Sequence, residues 1–302
     1  MYRTILLPLD GSPFSESAIP VALSLARRTG AELRLLSVLE TFSTTILYDW
    51  GQNAVEQLHQ YLETVAEDLT QAWDGKVEVK VLEGHVAHAI QEEATEVDLV
   101  VMATHGRGGL SRLWLGSVAD AHVRHASGPV LLVRPGEEGA PPGTEDWTIS
   151  RILLPLDGSE LSEAILDQAL ELGSLFGATY HLIRVVPSPK QFSSYPPHMM
   201  QENRERMEEA TREAATYLAD HGDTLRSRGY PVEEEVVTGV QPAHGILTKA
   251  EEAGCDFIAI SAHGRGVLSR AVLGSTSDKV VRGAHHPVLL YRGRAKGFRS
   301  AE

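Results

Sequence analysis

The chain has 302 residues, 42% of them hydrophobic and 23% charged, with a formal net charge of −14. That length predicts about two domains of ordinary globular composition, and the acidic balance argues against nucleic acid or an anionic membrane as the main partner, because phosphate surfaces call for a basic face. The single cysteine, Cys255, excludes an intrachain disulfide, no apolar run reaches the length of a membrane span, no signal-peptide pattern precedes the first strand, and the cytoplasm is the expected compartment.

Residues 2–9 form an apolar run and predict a first strand. Asp10, Gly11, Ser12 and Pro13 follow with turn and helix-cap chemistry. Ala18, Val21, Ala22 and Leu25 recur at helical spacing over 15–28, and Thr29-Gly30 stops that helix. Residues 32–39 predict a second strand and 41–51 an irregular stretch. Val55, Leu58, Leu62, Val65 and Leu69 line one face of a long amphipathic helix over 53–73, ended by Asp74-Gly75. Residues 77–82 alternate as a third strand, 86–95 predict a short helix after Gly84, and 98–103 a fourth strand. A glycine-rich stretch from His105 to Ser117 comes next. A helix over 117–125 and a fifth strand over 129–134 complete the pattern.

The pattern then repeats. Thr4-Ile-Leu-Leu-Pro-Leu-Asp-Gly-Ser12 reappears as Arg151-Ile-Leu-Leu-Pro-Leu-Asp-Gly-Ser159, and Gly128-Pro-Val-Leu-Leu-Val133 as His286-Pro-Val-Leu-Leu-Tyr291. Asp10 and Asp157 are offset by 147, but His105 and His263 by 158, so the second copy carries eleven extra residues in its middle. They fall near Pro187 to Pro197, too proline-rich for helix, and a longer charged helix over 198–227. A lid and a solvated variable loop are both open readings of them. Residues 136–149, rich in proline, glycine and acidic side chains, read as a linker between a first domain at 1–135 and a second at 150–293. A frayed tail follows at 294–302.

Strands alternating with helices mean a parallel sheet covered on both faces. The expected architecture is therefore α/β: two tandem, doubly wound, five-stranded parallel sheets of order 3-2-1-4-5. In that order the ends of strands one and four flank a topological switch point, where such sheets bind ligands. Asp10-Gly-Ser12 and the His105–Ser117 stretch would then share one crevice, and Asp157-Gly-Ser159 and His263–Ser275 another.

The glycine-rich stretch, with Arg107 and Arg112 (Arg265 and Arg270 in the second copy) and Gly-Ser at the next helix start, suits an anion. Exposed N–H groups and the helix dipole both favour negative charge there. It is neither a P-loop, since the Lys-Ser/Thr is missing, nor a Rossmann fingerprint, since it follows the fourth strand. Asp10 and Asp157 have two readings, a helix cap and a ligand carboxylate, and the second is preferred. His105 and His263 lack an evident nucleophile or paired carboxylate beside them, so no catalytic residue is assigned. His85 and His88 read as a solvated helix end and not as metal ligands. His122, His125, His285 and His286 read as surface or cap residues. Cys255, between Gly254 and Asp256, reads as an inert core thiol.

Ile5-Leu-Leu-Pro-Leu-Asp-Gly-Ser12, Met102-Ala-Thr-His-Gly-Arg-Gly108, Leu115-Gly-Ser-Val118 and Pro129-Val-Leu-Leu-Val133, with their equivalents in the second half, resemble the universal stress protein (UspA-like) family in tandem form. The resemblance covers residues 1–135 and 150–293. It implies an ATP site, or one for AMP or ADP, with magnesium. In the first half the nucleotide contacts would come from Pro8, Leu9, Asp10, Ser12, Val38, Ala103, His105, Gly106, Arg107, Gly108, Gly116, Ser117 and Val118. In the second half they would come from Pro155, Leu156, Asp157, Ser159, Val185, Ser261, His263, Gly264, Arg265, Gly266, Gly274, Ser275 and Thr276. The family's binders carry Gly-x-x-Gly, nine residues, then Gly-Ser or Gly-Thr. Here the first glycine is Ala103 in one half and Ser261 in the other. The resemblance also implies pairing of domains through strand five, within one chain, and a possible homodimer. The expected role is a nucleotide-binding sensor or regulator, at most a slow ATPase. The alternative is a nucleotide-independent interaction module.

Overall fold

The computed structural model describes residues 2–40, 48–104, 115–135, 147–187, 197–262 and 273–293. The described chain is α/β and divides into two compact units. The first runs to Thr148 and also takes in Pro287–Arg292; the second begins at Ile149.

In the first unit, β1 (Thr4–Pro8), β2 (Glu32–Leu39), β3 (Val77–Glu83), β4 (Leu99–Ala103) and β5 (Val130–Val133) form a sheet of order β3-β2-β1-β4-β5. The pairings β1–β2, β2–β3, β1–β4 and β4–β5 are all parallel. β1 and β4 are central and, Thr4 apart, apolar, with Ile5, Leu6, Leu7, Leu99 and Val101 fully buried, as strands covered on both faces must be. The helices are α1 (Pro13–Glu16), α2 (Ile19–Thr29), α3 (Tyr48–Ala72), α4 (Val86–Glu93) and α5 (Ser117–His125), with a 3-10 turn at Ala94–Glu96.

The second unit repeats this with β6 (Arg151–Pro155), α6 (Glu160–Glu163), α7 (Leu166–Ser174), β7 (Thr179–Val186), α8 (Pro197–Ser227), β8 (Val232–Thr238), α9 (Pro242–Glu252), β9 (Phe257–Ser261) and α10 (Ser275–Gly283). β6 pairs parallel with β7 and β9, and β7 with β8. The strand β10 (Val288–Tyr291) groups with the first unit, where it runs antiparallel to β5, Leu289 opposite Leu131.

Several boundaries differ from the sequence expectation, for local reasons. The predicted helix over 15–28 is two helices, broken at Ser17 and Ala18. Pro20 sits in the first turn of α2 and has no N–H to carry the helix through, while the Ser17 hydroxyl donates to the Phe14 carbonyl at 2.6 Å. α3 starts at Tyr48, so part of the predicted irregular stretch is helical. Pro197, placed in the non-helical loop, is the first residue of α8, the position where proline's missing N–H costs least. The rest of that loop, 188–196, and the linker segment 136–146 lie outside the described residues. So does the tail from 294 onward.

Candidate functional site

Each unit presents a turn built from the residues singled out by the repeat. β1 delivers Asp10 at its carboxyl end, and Gly11 then takes φ +76°, the left-handed region that glycine enters without steric cost. Asp10 Oδ1 accepts from the Ser12 N–H at 3.0 Å and the Ser12 hydroxyl at 2.6 Å. Ser12 Oγ in turn caps α1 by accepting from the Ser15 N–H at 3.2 Å. The Ser15 hydroxyl donates to the Ser12 carbonyl at 2.9 Å and accepts from the Asp10 N–H at 3.3 Å.

The second unit reproduces every bond. Gly158 has φ +82°; Asp157 Oδ1 accepts from Ser159 N–H and Oγ–H at 2.9 and 2.6 Å; Ser159 caps α6 through the Ser162 N–H at 3.2 Å; and Ser162 closes the ring at 2.8 and 3.2 Å. The helix cap is therefore Ser12 and Ser159, not the aspartates. One oxygen of each carboxylate organises the turn. Ser15 and Ser162 escaped the sequence reading, although a serine five residues beyond the aspartate occurs in both copies.

The opposite wall follows the central strand beside β1. β4 leads into Thr104, and the Gly116 N–H donates to the Thr104 carbonyl at 2.8 Å; Gly274 donates to Ala262 at 2.8 Å in the second unit. The two ends of each glycine-rich stretch are thus pinned together, at the carboxyl end of β4 or β9. His105, Gly106, Arg107 and Gly108, and likewise His263, Gly264, Arg265 and Gly266, lie outside the described residues. Gly116 and Gly274 occupy the cap positions of α5 and α10, and neither helix has a side-chain cap. Their first N–H groups lack intrahelical acceptors by construction. Ser117 and Ser275 are exposed, and Val118 and Thr276 half-buried, in the first turn.

The remaining predicted residues fall around the same two places. Pro8, Leu9, Pro155 and Leu156 form the strand ends, with the Leu9 N–H bonded to the Leu36 carbonyl and the Leu156 N–H to the Ile183 carbonyl, both at 2.8 Å. Val38 and Val185 are half-buried near the ends of β2 and β7. Ala103 and Ser261 are buried at the ends of β4 and β9. The Ser261 carbonyl accepts from the buried Ser277 hydroxyl at 2.7 Å, a bond for which the first unit has only alanines, Ala103 and Ala119.

The two units also differ beside the aspartate. In both, a tyrosine hydroxyl of the long helix donates to a glutamate of the short helix at 2.8 Å: Tyr61 to Glu16, Tyr217 to Glu163. In the first unit the neighbouring strand position is Ser37, whose hydroxyl donates to the Leu9 carbonyl at 2.6 Å. Its counterpart is Arg184, half-buried, with its guanidinium 5.0 Å from the Tyr217 ring centre. No carboxylate lies within salt-bridge distance of Arg184 among the described residues. His221, where the first unit has Val65, stands 3.3 Å from Glu163. Burial, and then the bond to Glu163, push the Tyr217 hydroxyl well above its ordinary pKa.

Three residues set aside in the sequence take different places. Cys255 is buried, and desolvation pushes its thiol up to about 11, so it stays protonated and unreactive. His88 is exposed and pairs with Glu92 at 3.3 Å. No cluster suited to a metal occurs among the described residues, and none of their helices is long and apolar enough to cross a membrane. The surface reading fails for His122, which is 1% exposed. Ala119, His122 and Val123 are the inward positions of α5, one helical stripe.

Two doubly wound units, each with an Asp-Gly-Ser turn and a pinned Gly-Ser helix start after neighbouring central strands, meet a family profile. The universal stress protein family matches at residues 1–134 and 148–292. The chain belongs to the universal stress protein family. A universal stress protein of Mycolicibacterium smegmatis is 27% identical over 300 residues, covering 96% of this chain and 97% of that protein. One from Mycobacterium tuberculosis is 26% identical over 314 residues, covering 95% and 94%. A solved universal stress protein structure from Archaeoglobus fulgidus superimposes with a TM-score of 0.71 at 22% identity, covering 96% of this chain and 98% of that one. The tandem universal stress protein fold therefore spans nearly the whole chain.

Proposed function

We propose that the chain is a nucleotide-binding sensor or regulator, taking ATP or a related adenine nucleotide at one or both crevices. The observation that carries this reading is the pairing, at the switch point of each sheet, of a carboxylate held in a rigid turn with a helix start that has no side-chain cap. Asp10 or Asp157 suits ribose hydroxyls, which donate to it. The uncapped N–H groups at Gly116–Ser117 and Gly274–Ser275 suit phosphate oxygens. Val38 and Val185 are placed for the apolar faces of a base. A nucleotide-bound magnesium ion would arrive with the phosphates.

The turn bonds of Asp10 and Asp157 and the uncapped helix starts support binding over phosphoryl transfer. Transfer needs a positioned nucleophile and charge stabilisation at the reacting phosphate. Within the first unit, β10 against β5 supports the further reading that family-type pairing through fifth strands occurs inside one chain. Assembly into a homodimer is tested by light scattering. We place the protein in the cytoplasm.

A second reading, a nucleotide-independent interaction module, is favoured by one feature. Ala103 and Ser261 put a Cβ where glycine would let backbone approach a phosphate. Equilibrium titration with ATP and magnesium separates the two: saturable binding supports the first, and its absence at millimolar ATP the second.

A further inference from the structure

His122 is the polar side chain that the candidate sites leave unexplained. It lies on the inner face of α5, 1% exposed, and neither ring nitrogen has a hydrogen-bond partner. It borders a shallow cleft with Ala94, Val97, Asp98, Gly128 and Pro129, at the end of β4 opposite the crevice. The matching residue of α10 is Val280, fully buried, so an apolar side chain fits this helix–sheet packing. A neutral imidazole fits at the cost of two unmade hydrogen bonds; an imidazolium there would bury a charge without a partner.

We propose that His122 is an acid-triggered latch on the first unit: its protonation undocks α5, and with it the Gly116–Ser117 end of the pinned glycine-rich stretch, while α10 with Val280 stays docked. The surroundings offer the charged ring no relief. Burial, and next the like charge of His125 one turn on, hold its pKa down at about 4. β4 and β5 carry only apolar side chains. Asp98, on the cleft wall, accepts from the Arg3 and Thr4 N–H groups at 2.8 and 3.0 Å through one oxygen, Oδ2, and makes no bond to the His122 ring. On α4, which packs on α5, Glu93 is held by Lys80 at 2.5 Å and Arg34 at 3.4 Å, and Glu92 pairs with His88 at 3.3 Å. On α5 itself Asp120 pairs with Arg124 at 2.8 Å. The other buried histidine among the described residues, His181 of β7, has Glu235 at 3.5 Å to pair with its charge.

The sign follows from linkage. The unfolded or undocked histidine takes a proton below about 6.5, while the docked one resists down to about 4. Docking is therefore unaffected above pH 6.5 and weakens as pH falls through that window, by up to about tenfold per pH unit. The latch acts on α5 whatever the first crevice holds.

Amide hydrogen exchange on the ligand-free, full-length protein from pH 7 to 4, corrected for intrinsic rates, tests this in wild type, His122→Val and His122→Gln. Wild type should lose protection in α5 and not in α10 as pH falls, on the order of tenfold or more by pH 4.5. Both variants, one apolar and one polar but untitratable, should lose that pH dependence. If His122→Val proves poorly folded at neutral pH, His122→Gln alone gives the comparison. Equal acid-dependent loss in α5 of wild type and either folded variant, or equal loss in α10, would overturn the proposal.

Discussion

A single oxygen of Asp10 gathers two donors, and Ser12 passes that order to α1. Ser12→Ala and Ser159→Ala should each cost about 1 kcal/mol, the usual worth of a lost cap, read as a lower urea midpoint with an unchanged slope. No change in either would mean the turn holds without its cap. Cys255, its thiol raised to about 11, should react with thiol reagents at pH 8 far more slowly in the native protein than in urea; comparable rates would contradict its burial. The Pro-Leu-Asp-Gly-Ser motifs were legible as turns with a helix start, but not which side chain makes the cap, since aspartate and serine both suit it. Ser15 and His122 were not, for different reasons. A serine announces no bond from its identity alone. His122 sits at inward helical spacing, but histidine reads as polar until packing shows it buried.

At the scale of elements, the two units hold the same helix to the same strand with opposite charges. Lys80 of β3 meets Glu93 of α4 at 2.5 Å, whereas Glu235 of β8 meets Lys249 of α9 at 2.8 Å. Lys80 and Glu235 are the same register position, opposite Leu36 and Ile183. A pair kept while its sign reverses points to the contact itself as the useful feature. Lys80→Glu should destabilise the first unit by about 1–2 kcal/mol, because Glu93 is only 11% exposed and would face a like charge. Lys80→Glu with Glu93→Lys should recover only part of that in a double-mutant cycle, because Arg34, 3.4 Å from Glu93, would then face a like charge, and simple additivity would refute the coupling. The central place of strands one and four was legible from their apolar runs, and the full strand order rested on the family resemblance as well. The α1–α2 break was not, since a proline marks the first turn of one helix entered late as well as that of a second helix.

Across the whole molecule, the repeats share a frame and differ in what surrounds it. Arg184 stands where the first unit has Ser37, so it adds a positive charge on the aspartate's side of the second crevice that the first lacks. An anionic ligand should therefore bind the second crevice more tightly and with more salt dependence. Arg184→Ser should weaken only that site, by about tenfold, and flatten its salt dependence in calorimetry; an unchanged second site would remove Arg184 from the explanation. The extra loop and the Ala103/Ser261 difference already mark the halves as unequal in sequence, but the part of Arg184 was invisible there, where it is one charged residue in a strand and its neighbour Tyr217 is 33 residues away. The most direct measurement is calorimetric titration of the full-length protein with ATP and magnesium, compared with Asp10→Asn/Asp157→Asn. Asparagine keeps the oxygen that accepts from Ser12 and Ser159 but loses the charge. Saturable binding by the wild type, weakened at least about tenfold in the double variant, is the predicted result; no saturable binding, or binding that the double variant leaves unchanged, would contradict the assignment of the two crevices.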